Sequence, residues 1–232
     1  MSWNELFSRP ADVAFDEWFA RIATALLTAT RLVVAGEPHR LVEVEVYYHG
    51  PHHEDPFAHR DPVQVHLGRW YFHRTGGSFK GVDLAFGGAG VYSGVLFRGL
   101  EDAAGRFVDG PSLLVDHLLK KTHTNSMREL DAAIGERLAW DATSLLHLVA
   151  SPPEAREVYR SARVGLTLKR ERPGGEIFLA KEYRYLTEPR RTKKGKQRLV
   201  QALHRRGESV ERIRELTGSP LASIRRQIAK PI

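Results

Sequence analysis

The sequence predicts a mixed α/β (α+β) domain followed by a small, all-helical C-terminal segment. Residues 41–48 (LVEVEVYY) alternate with the period of a β-strand, whose successive side chains point to opposite faces. Residues 15–27 instead place large apolar side chains at helical spacing. Beyond residue 188 the chain turns basic and amphipathic. With 232 residues, 42% of them hydrophobic, it is long enough for one substantial core and a small appendage.

The remaining elements follow from the same two periods and from the Gly and Pro residues that separate them. Strands are predicted at residues 30–34, 41–48, 68–73, 79–86, 92–101, 164–168 and 177–179, with turns at 36–38 and 76–77. Helices are predicted at residues 15–27, 112–121 and 129–140, around 199–203, after 209 and at 221–228.

Positive charge is concentrated at the C-terminal end of the chain. The formal net charge is +7, yet residues 1–188 hold 22 basic and 25 acidic residues, whereas residues 189–232 hold 13 and 3. We therefore divide the chain into a domain (1–188), a basic linker (189–195) and a helical tail (196–232). A tail of this charge favours a polyanionic partner, and DNA is the first candidate because each neutralised phosphate releases counterions.

Cysteine is absent, which excludes disulfides and thiolate zinc sites and predicts a reducing, cytoplasmic location. No apolar run in the sequence approaches the length that spans a bilayer. The N-terminal residues also lack a signal-peptide core. We therefore expect no membrane partner.

The stretch LVEVEVYYHGPHHEDPFAH (41–59) concentrates chemically active side chains. In a strand, Glu43, Glu45 and Tyr47 share one face, which by itself also suits a half-exposed strand with solvated glutamates. The loop that follows contains residue types that bind metals. Its irregular spacing, interrupted by prolines, favours a loop that grips substrate, and we predict no metal and no other cofactor. The candidate ligands of the alternative metal site are His49, His52, His53, Glu54, Asp55 and His59.

With blocks further along the chain, this stretch resembles the methylpurine (3-methyladenine or alkyladenine) DNA glycosylase family. The resemblance covers roughly residues 26–186 and runs in family order through LLTATRLVV, HRLVEVEVYYHGP, GSFKGVDLAFG, VLFRGLE, DGPSLLVDHL and SARVGL. It implies a single domain around a curved antiparallel sheet flanked by helices. It also implies a monofunctional enzyme that flips a modified base out of duplex DNA and hydrolyses its N-glycosidic bond, leaving an abasic site.

The resemblance assigns roles to four residues. Glu45 matches the glutamate that deprotonates the attacking water, and its charge would stabilise an oxocarbenium-like transition state. Arg98 matches an arginine that places this water or the adjacent phosphate. Tyr47 offers a ring for the flipped base to stack on, and His59 matches a histidine that hydrogen-bonds near the sugar phosphate and base.

Three positions depart from the family pattern or fill it differently. Asp83 stands where the family usually has a second aromatic ring under the base. A carboxylate cannot stack, but it accepts hydrogen bonds, for example from an exocyclic amine. Phe86 falls where the family inserts an intercalating side chain, and Ser93 is the nearest candidate for the asparagine that screens out guanine. The sequence therefore leaves the identity of the base open, with an alkylated purine and a hypermodified base as the two expectations.

The tail resembles the small helix-turn-helix domain of resolvases. Ser209 would cap its second helix, Gly218 would supply the turn, and the third helix would face DNA. A basic helical tail that contacts phosphates without reading bases is an equal alternative. The residues predicted to bind DNA are Arg190, Arg191, Lys193, Lys194, Arg225 and Arg226.

The sequence thus predicts a DNA glycosylase that acts as a cytoplasmic monomer, associated with the nucleoid or its equivalent. Water activated by Glu45 would attack without a metal and without a lysine Schiff base. The alternative is a catalytically silent DNA-binding protein that uses the same pocket to sense a modified nucleotide.

Overall fold

A computed structural model describes residues 2–73, 79–168 and 172–230. Within these ranges the strands are β1 (Thr30–Val34), β2 (Glu37–Gly50), β3 (His53–Glu54), β4 (Trp70–Phe72), β5 (Val82–Ala85), β6 (Tyr92–Glu101), β7 (Phe107–Asp109), β8 (Leu146–Ala150), β9 (Tyr159–Ser161) and β10 (Arg184–Leu186). The helices are α1 (Trp3–Phe7), α2 (Phe15–Thr28), α3 (Pro111–Thr122), α4 (Met127–Ile134), α5 (Gly175–Ala180), α6 (Lys196–Arg205), α7 (Val210–Thr217) and α8 (Leu221–Ile228). None of these helices is both long and apolar enough to cross a bilayer.

The long strand β2 is the central strand of a curled antiparallel sheet. Along one edge it pairs with β6, and along the other it pairs in turn with β1, β10 and β3. The sheet continues through β5 to β4 on one side and through β1 to β8 on the other. The mixed α/β class, the antiparallel curled sheet and the flanking helices are therefore confirmed.

The hydrophobic core lies between the apolar face of this sheet and the helices α2 and α3. Phe19, Ile22 and Leu26 project from α2 and are completely buried, as the helical spacing predicts. Leu114 and Leu118 do the same from α3. Since these helices cover the apolar face, the glutamates of β2 are left on the other face of the sheet.

The structure corrects three predicted elements. Residues 164–168 form no strand, and residues 177–179 belong to the helix α5. The helix predicted over 129–140 ends at Ile134, because Gly135 takes a left-handed φ of 64°. By contrast, β1 and β6 have the predicted bounds, and α2 is one residue longer. The turn predicted at 76–77 lies outside the described residues.

The tail helices α6, α7 and α8 pack together and against the sheet. Ser209 caps α7 by accepting a hydrogen bond from the Arg212 N–H (3.1 Å), and Gly218 ends it at φ 66°, both as predicted. Their buried cluster also includes two residues of the sheet, Tyr159 and Leu186. The domain boundary at residue 188 stays a prediction, but the buried apolar cluster continues across it.

Candidate active site

The Glu45 carboxylate is completely buried in the middle of β2. Its Oε1 accepts a hydrogen bond from the Val164 N–H (2.7 Å) and lies 3.3 Å from Arg98 Nε. Its Oε2 accepts from the Tyr47 hydroxyl (2.8 Å) and from Arg98 Nη1 (3.5 Å). An ionised carboxylate offers about four lone-pair sites, so these donors satisfy it. The interpretation of Glu45 as a solvated strand residue is therefore wrong.

A second buried carboxylate, Glu43, lies beside Glu45. Its Oε1 accepts hydrogen bonds from Arg98 Nε (2.7 Å) and Arg184 Nε (2.8 Å). Burial opposes ionisation of Glu43, but the charges of Arg184 and Arg98 outweigh it and lower its pKa. Burial likewise opposes the charge of Arg98, while Glu45 and Glu43 raise its pKa above the ordinary value. Two buried carboxylates are thus matched by two buried guanidinium groups, as buried charges require.

Tyr47 is linked to the buried charge network of Glu43, Glu45 and Arg98 by its hydrogen bond to Glu45, and it is itself partly exposed. Burial, followed by the nearby charge of Glu45, raises the pKa of Tyr47 well above its ordinary value, so its hydroxyl remains a donor to Glu45. The Arg163 guanidinium lies 4.4 Å from the centre of the Tyr47 ring. Arg163 is itself buried and pairs with Asp55 at 2.5 Å. The ring is therefore fixed at its hydroxyl and on one face.

A cavity of about 360 Å³ lies against this network. That volume is within the range of small-ligand pockets, roughly 300–1,000 Å³. Glu45 does not line the cavity; Tyr47, Arg98 and Val164 do, and all three donate to its carboxylate. The lining residues are Tyr47, Phe57, His59, Gln64, His73, Phe79, Asp83, Leu96, Arg98, Val164, Gly165, Leu166, Thr167 and Arg172.

One polar part of the cavity wall is a buried His73–Asp83 pair. Asp83 Oδ1 lies 2.7 Å from His73 Nε2, and Asp83 Oδ2 accepts a weaker hydrogen bond from Gln64 (3.4 Å). Burial opposes protonation of His73, but the charge of Asp83 outweighs it and raises the pKa of His73. Both Asp83 oxygens therefore already have a donor. Asp83 is hydrogen-bonded to two residues of the wall, His73 and Gln64, neither of which the sequence indicated as its partner.

His59 lines the cavity next to this pair. Its Nδ1 lies 3.1 Å from the Tyr71 hydroxyl, and its ring centre lies 4.6 Å from that of His73. Burial, and then the positive charge of His73, lower the pKa of His59. The lowered pKa favours the neutral imidazole of His59, which can both donate and accept a hydrogen bond.

Two predicted site residues lie away from the cavity lining. Phe86 is 4% exposed and packs in the core, with its ring centre 5.5 Å from those of Phe7 and Trp18. A ring held in this way is not presented to a neighbouring base step, which corrects the expectation of an intercalating side chain. Ser93 is completely buried on β6. We leave Phe86 and Ser93 out of the proposed site.

The predicted DNA-binding residues divide into two groups. Arg225 and Arg226 are exposed on α8, as a surface for phosphates requires. Arg190 is exposed beside α7, and Arg191 is exposed but pairs with Glu101. The linker is also fixed through its backbone, since the N–H groups of Lys193 (2.8 Å) and Lys194 (3.4 Å) donate to Asp109.

The histidine-rich loop is built into the domain. His53 hydrogen-bonds Tyr183 through Nε2 (2.9 Å), and Asp55 pairs with Arg163. In the described part of the chain, no three His, Asp or Glu side chains are placed to share a metal ion. These contacts assign His53 and Asp55 to anchoring the loop.

Sequence reasoning missed Arg163, Arg184 and His73. Arg163 lies within SARVGL and Arg184 within YRYL, and both are almost completely buried. A single charge within an apolar run was the available signal, because buried charges need partners elsewhere in the fold. The partners, Glu43 and Asp55, are more than a hundred residues away in sequence.

Comparison with known proteins adds one distant likeness. No family model matches the chain. An uncharacterised protein of Acanthamoeba polyphaga mimivirus is 27% identical over 174 residues, which cover 66% of this chain and 81% of the viral protein. The name of that protein states no activity, so the likeness brings no function to this chain.

Proposed function

We propose that the protein is a DNA glycosylase that flips a modified base into the cavity and hydrolyses its N-glycosidic bond. One observation carries the proposal. Tyr47, Arg98 and Val164 line the cavity, and each also donates a hydrogen bond to the buried Glu45 carboxylate. A bound nucleotide would therefore lie one layer of side chains from that carboxylate. The E-x-E-x-Y resemblance to methylpurine DNA glycosylases supports the same assignment.

In the proposed reaction, water adds to C1′ of the extruded nucleotide while the bond from C1′ to the base breaks. The base leaves with the bonding electrons and takes a proton from solvent, and the sugar passes through an oxocarbenium-like transition state. Glu45 takes the proton of the attacking water, and its charge stabilises the sugar. The contact from Arg98 Nη1 is the longest of the four to Glu45, at 3.5 Å, so we expect the water to displace this one.

The cavity wall favours a base that is held by hydrogen bonds as well as by stacking. Tyr47 supplies one ring, while the His73–Asp83 pair occupies the place of the second ring predicted by the resemblance. A hydrogen-bonded histidine and aspartate present polar atoms rather than a ring face to the base. We therefore propose a modified base that carries hydrogen-bonding groups, alkylated or hypermodified.

DNA binding is assigned to the tail in this proposal. Arg225 and Arg226 are exposed on α8, and the excess positive charge of the chain lies beyond residue 188. Contacts of this kind position the protein on the phosphates, whereas the cavity selects the base.

A second function, a silent sensor of modified nucleotides, is favoured by the burial of Glu45. All of its acceptor sites have donors, and its carboxylate is 0% exposed. If the donors did not move on DNA binding, water could not reach Glu45 and the cavity would only hold a base.

The experiment that separates the two functions uses a panel of duplexes, each with one alkylated, deaminated or hypermodified base. After incubation with the protein, the DNA is heated in alkali, which breaks the strand at abasic sites. Breaks at the modified position, absent from the unmodified duplex, support the glycosylase. Tighter binding to a modified duplex without breaks supports the sensor, and equal binding to all duplexes without breaks contradicts both.

A further inference from the structure

We propose that the linker (189–195) is a latch that completes the catalytic centre, and that Arg184 is the positioning residue that connects the two. The inference rests on the proposed function and extends it. Docking of the linker would set the rate of base release, and the tail would do more than supply affinity for DNA.

The first observation is the hydrogen bonding of Arg184, whose side chain is completely buried. Its Nη1 donates to the carbonyl oxygen of Gly195 (3.0 Å), and its Nη2 donates to that of Lys194 (2.8 Å). Its Nε donates to Glu43 (2.8 Å). One guanidinium group therefore holds the linker backbone on one side and a site carboxylate on the other, which its rigid fork of donors suits.

From Glu43 the contacts continue to Glu45. The oxygen that Arg184 binds also accepts from Arg98 Nε (2.7 Å), and the same Arg98 nitrogen lies 3.3 Å from Glu45. Arg98 therefore bridges the two carboxylates, and its place depends on that of Glu43. If Arg184 lost its linker acceptors, its buried Nη2 would have no acceptor and Nη1 would keep only the Ser161 hydroxyl (3.3 Å), which favours movement of the side chain.

A second, separate contact leads from the linker to Glu45. A Cβ placed on Gly195 would lie 2.2 Å from the Val164 side chain and 2.8 Å from Arg184 Nη1. Such distances leave no room for a side chain. The Val164 N–H donates a hydrogen bond to Glu45 (2.7 Å). The backbone of the linker at Gly195 therefore packs directly against Val164, a residue that holds the Glu45 carboxylate in place.

The linker reaches this place by anchors that do not involve the site. Asp109 accepts hydrogen bonds from two linker N–H groups, and Arg191 pairs with Glu101. Beyond the linker, Leu199 and Leu203 of α6 are buried in the cluster that includes Tyr159 and Leu186. Docking of the tail therefore sets where the linker carbonyls lie.

The test compares Gly195→Ala with Gly207→Ala in the full-length chain. Both glycines have left-handed φ, 69° and 87°, but a Cβ on Gly207 would meet nothing within 4 Å. The control therefore carries a similar backbone strain without the contact. We expect Gly195→Ala to lower the rate of base release at saturating DNA at least about tenfold, because misplaced catalytic groups cost at least that much. The DNA dissociation constant should stay that of the wild type, and Gly207→Ala should change neither.

Arg184→Lys and Arg184→Gln provide a second pair of variants. Lysine keeps the charge beside Glu43 but cannot bind both carbonyls and the carboxylate, so we expect it to restore part of the rate that Gln loses. Unchanged release rates in Gly195→Ala and Arg184→Gln would overturn the latch. So would a loss confined to DNA affinity.

Hydrogen exchange of the Val164 amide gives a readout that needs no activity. We expect faster exchange of this amide in Gly195→Ala than in Gly207→Ala, because its contact with Glu45 loosens. If the wild type releases no base from any duplex, the proposed function fails, and exchange alone then decides the latch. Equal exchange in the two variants, with both folded by circular dichroism, would overturn it.

Discussion

Replacing Asp55 by asparagine should destabilise the protein strongly, because it breaks a completely buried ion pair. Asp55 and Arg163 are both 0% exposed, and their charged atoms lie 2.5 Å apart. Asparagine keeps the shape and the acceptor for the Phe57 N–H (3.0 Å), so the substitution removes mainly the charge. Arg163 is then left charged, buried and without its carboxylate.

Removing one partner of a buried pair costs about 3–5 kcal/mol, and we expect Asp55→Asn to lower the free energy of unfolding by that amount. Urea unfolding followed by tryptophan fluorescence measures it. Glu54→Gln, an exposed neighbour in the same loop, is the matched control and should stay within about 0.5 kcal/mol of the wild type.

The double variant Asp55→Asn with Arg163→Gln identifies the cause. Because the unpaired charge is then gone, it should be more stable than Asp55→Asn alone. A loss below about 1 kcal/mol for Asp55→Asn would refute the reasoning, since losses of that size are ordinary for any substitution.

Three further predictions concern pH, the cavity wall and the tail. His117 lies 2.9 Å from His39, and burial followed by the His39 charge lowers the pKa of His117 from 6.5 to about 4. The unfolded chain therefore takes up this proton first as the pH falls. Stability present above pH 6.5 should be lost between about pH 6.5 and 4, by at most about 3–4 kcal/mol at roughly 1.4 kcal/mol per pH unit. Asp83→Asn should lower the pKa of His73, measured by NMR titration of the ring, because the carboxylate that raises it is gone. Replacing Arg225 and Arg226 by glutamine should weaken DNA binding and reduce the slope of log K against log salt by up to about 1.8.

Each of these predictions has its own control. For pH, His117→Gln should reduce the acid loss by the share of His117, since His39, His53 and His59 also have lowered pKa values; an unchanged loss would assign it to these other groups. For the wall, an unaltered His73 titration in Asp83→Asn would show that the pair is not charged. For the tail, Arg128→Gln removes an exposed charge on α4 and should leave the salt slope as it is; an unchanged slope in the α8 variant would move the DNA surface elsewhere.

Local pattern accounts for the elements that the sequence predicted well. The strands β1 and β6 and the helix α2 have uninterrupted periods and clear ends. Residues 164–168 (VGLTL) also alternate, yet they form no strand, because the Val164 N–H donates to Glu45 and Gly165 takes a φ of 83°. A residue that uses its N–H for a distant carboxylate gives no sign of this in its own segment.

In the candidate site, too, contacts between residues that are distant in sequence could not be predicted from local pattern. Glu45, Tyr47, Arg98, His59 and Asp83 were identified from the sequence, and the structure brings them to one cavity and its supporting layer. Their state depends on Arg163, Arg184 and His73, whose partners are distant in sequence or on another strand. The sequence therefore identified which side chains lie close together, but not which of them form hydrogen bonds and ion pairs with one another.

The central claim is that Glu45 activates water for base release, and single-turnover kinetics of Glu45→Gln test it most directly. Glutamine keeps the size of the side chain and an acceptor for the Val164 N–H, but it cannot take a proton from water. On whichever modified duplex the wild type cleaves, we predict a rate of base release at least about 100-fold lower, with DNA binding largely intact. A rate within a few-fold of the wild type, with the variant folded and bound, would contradict the claim and remove Glu45 from the mechanism.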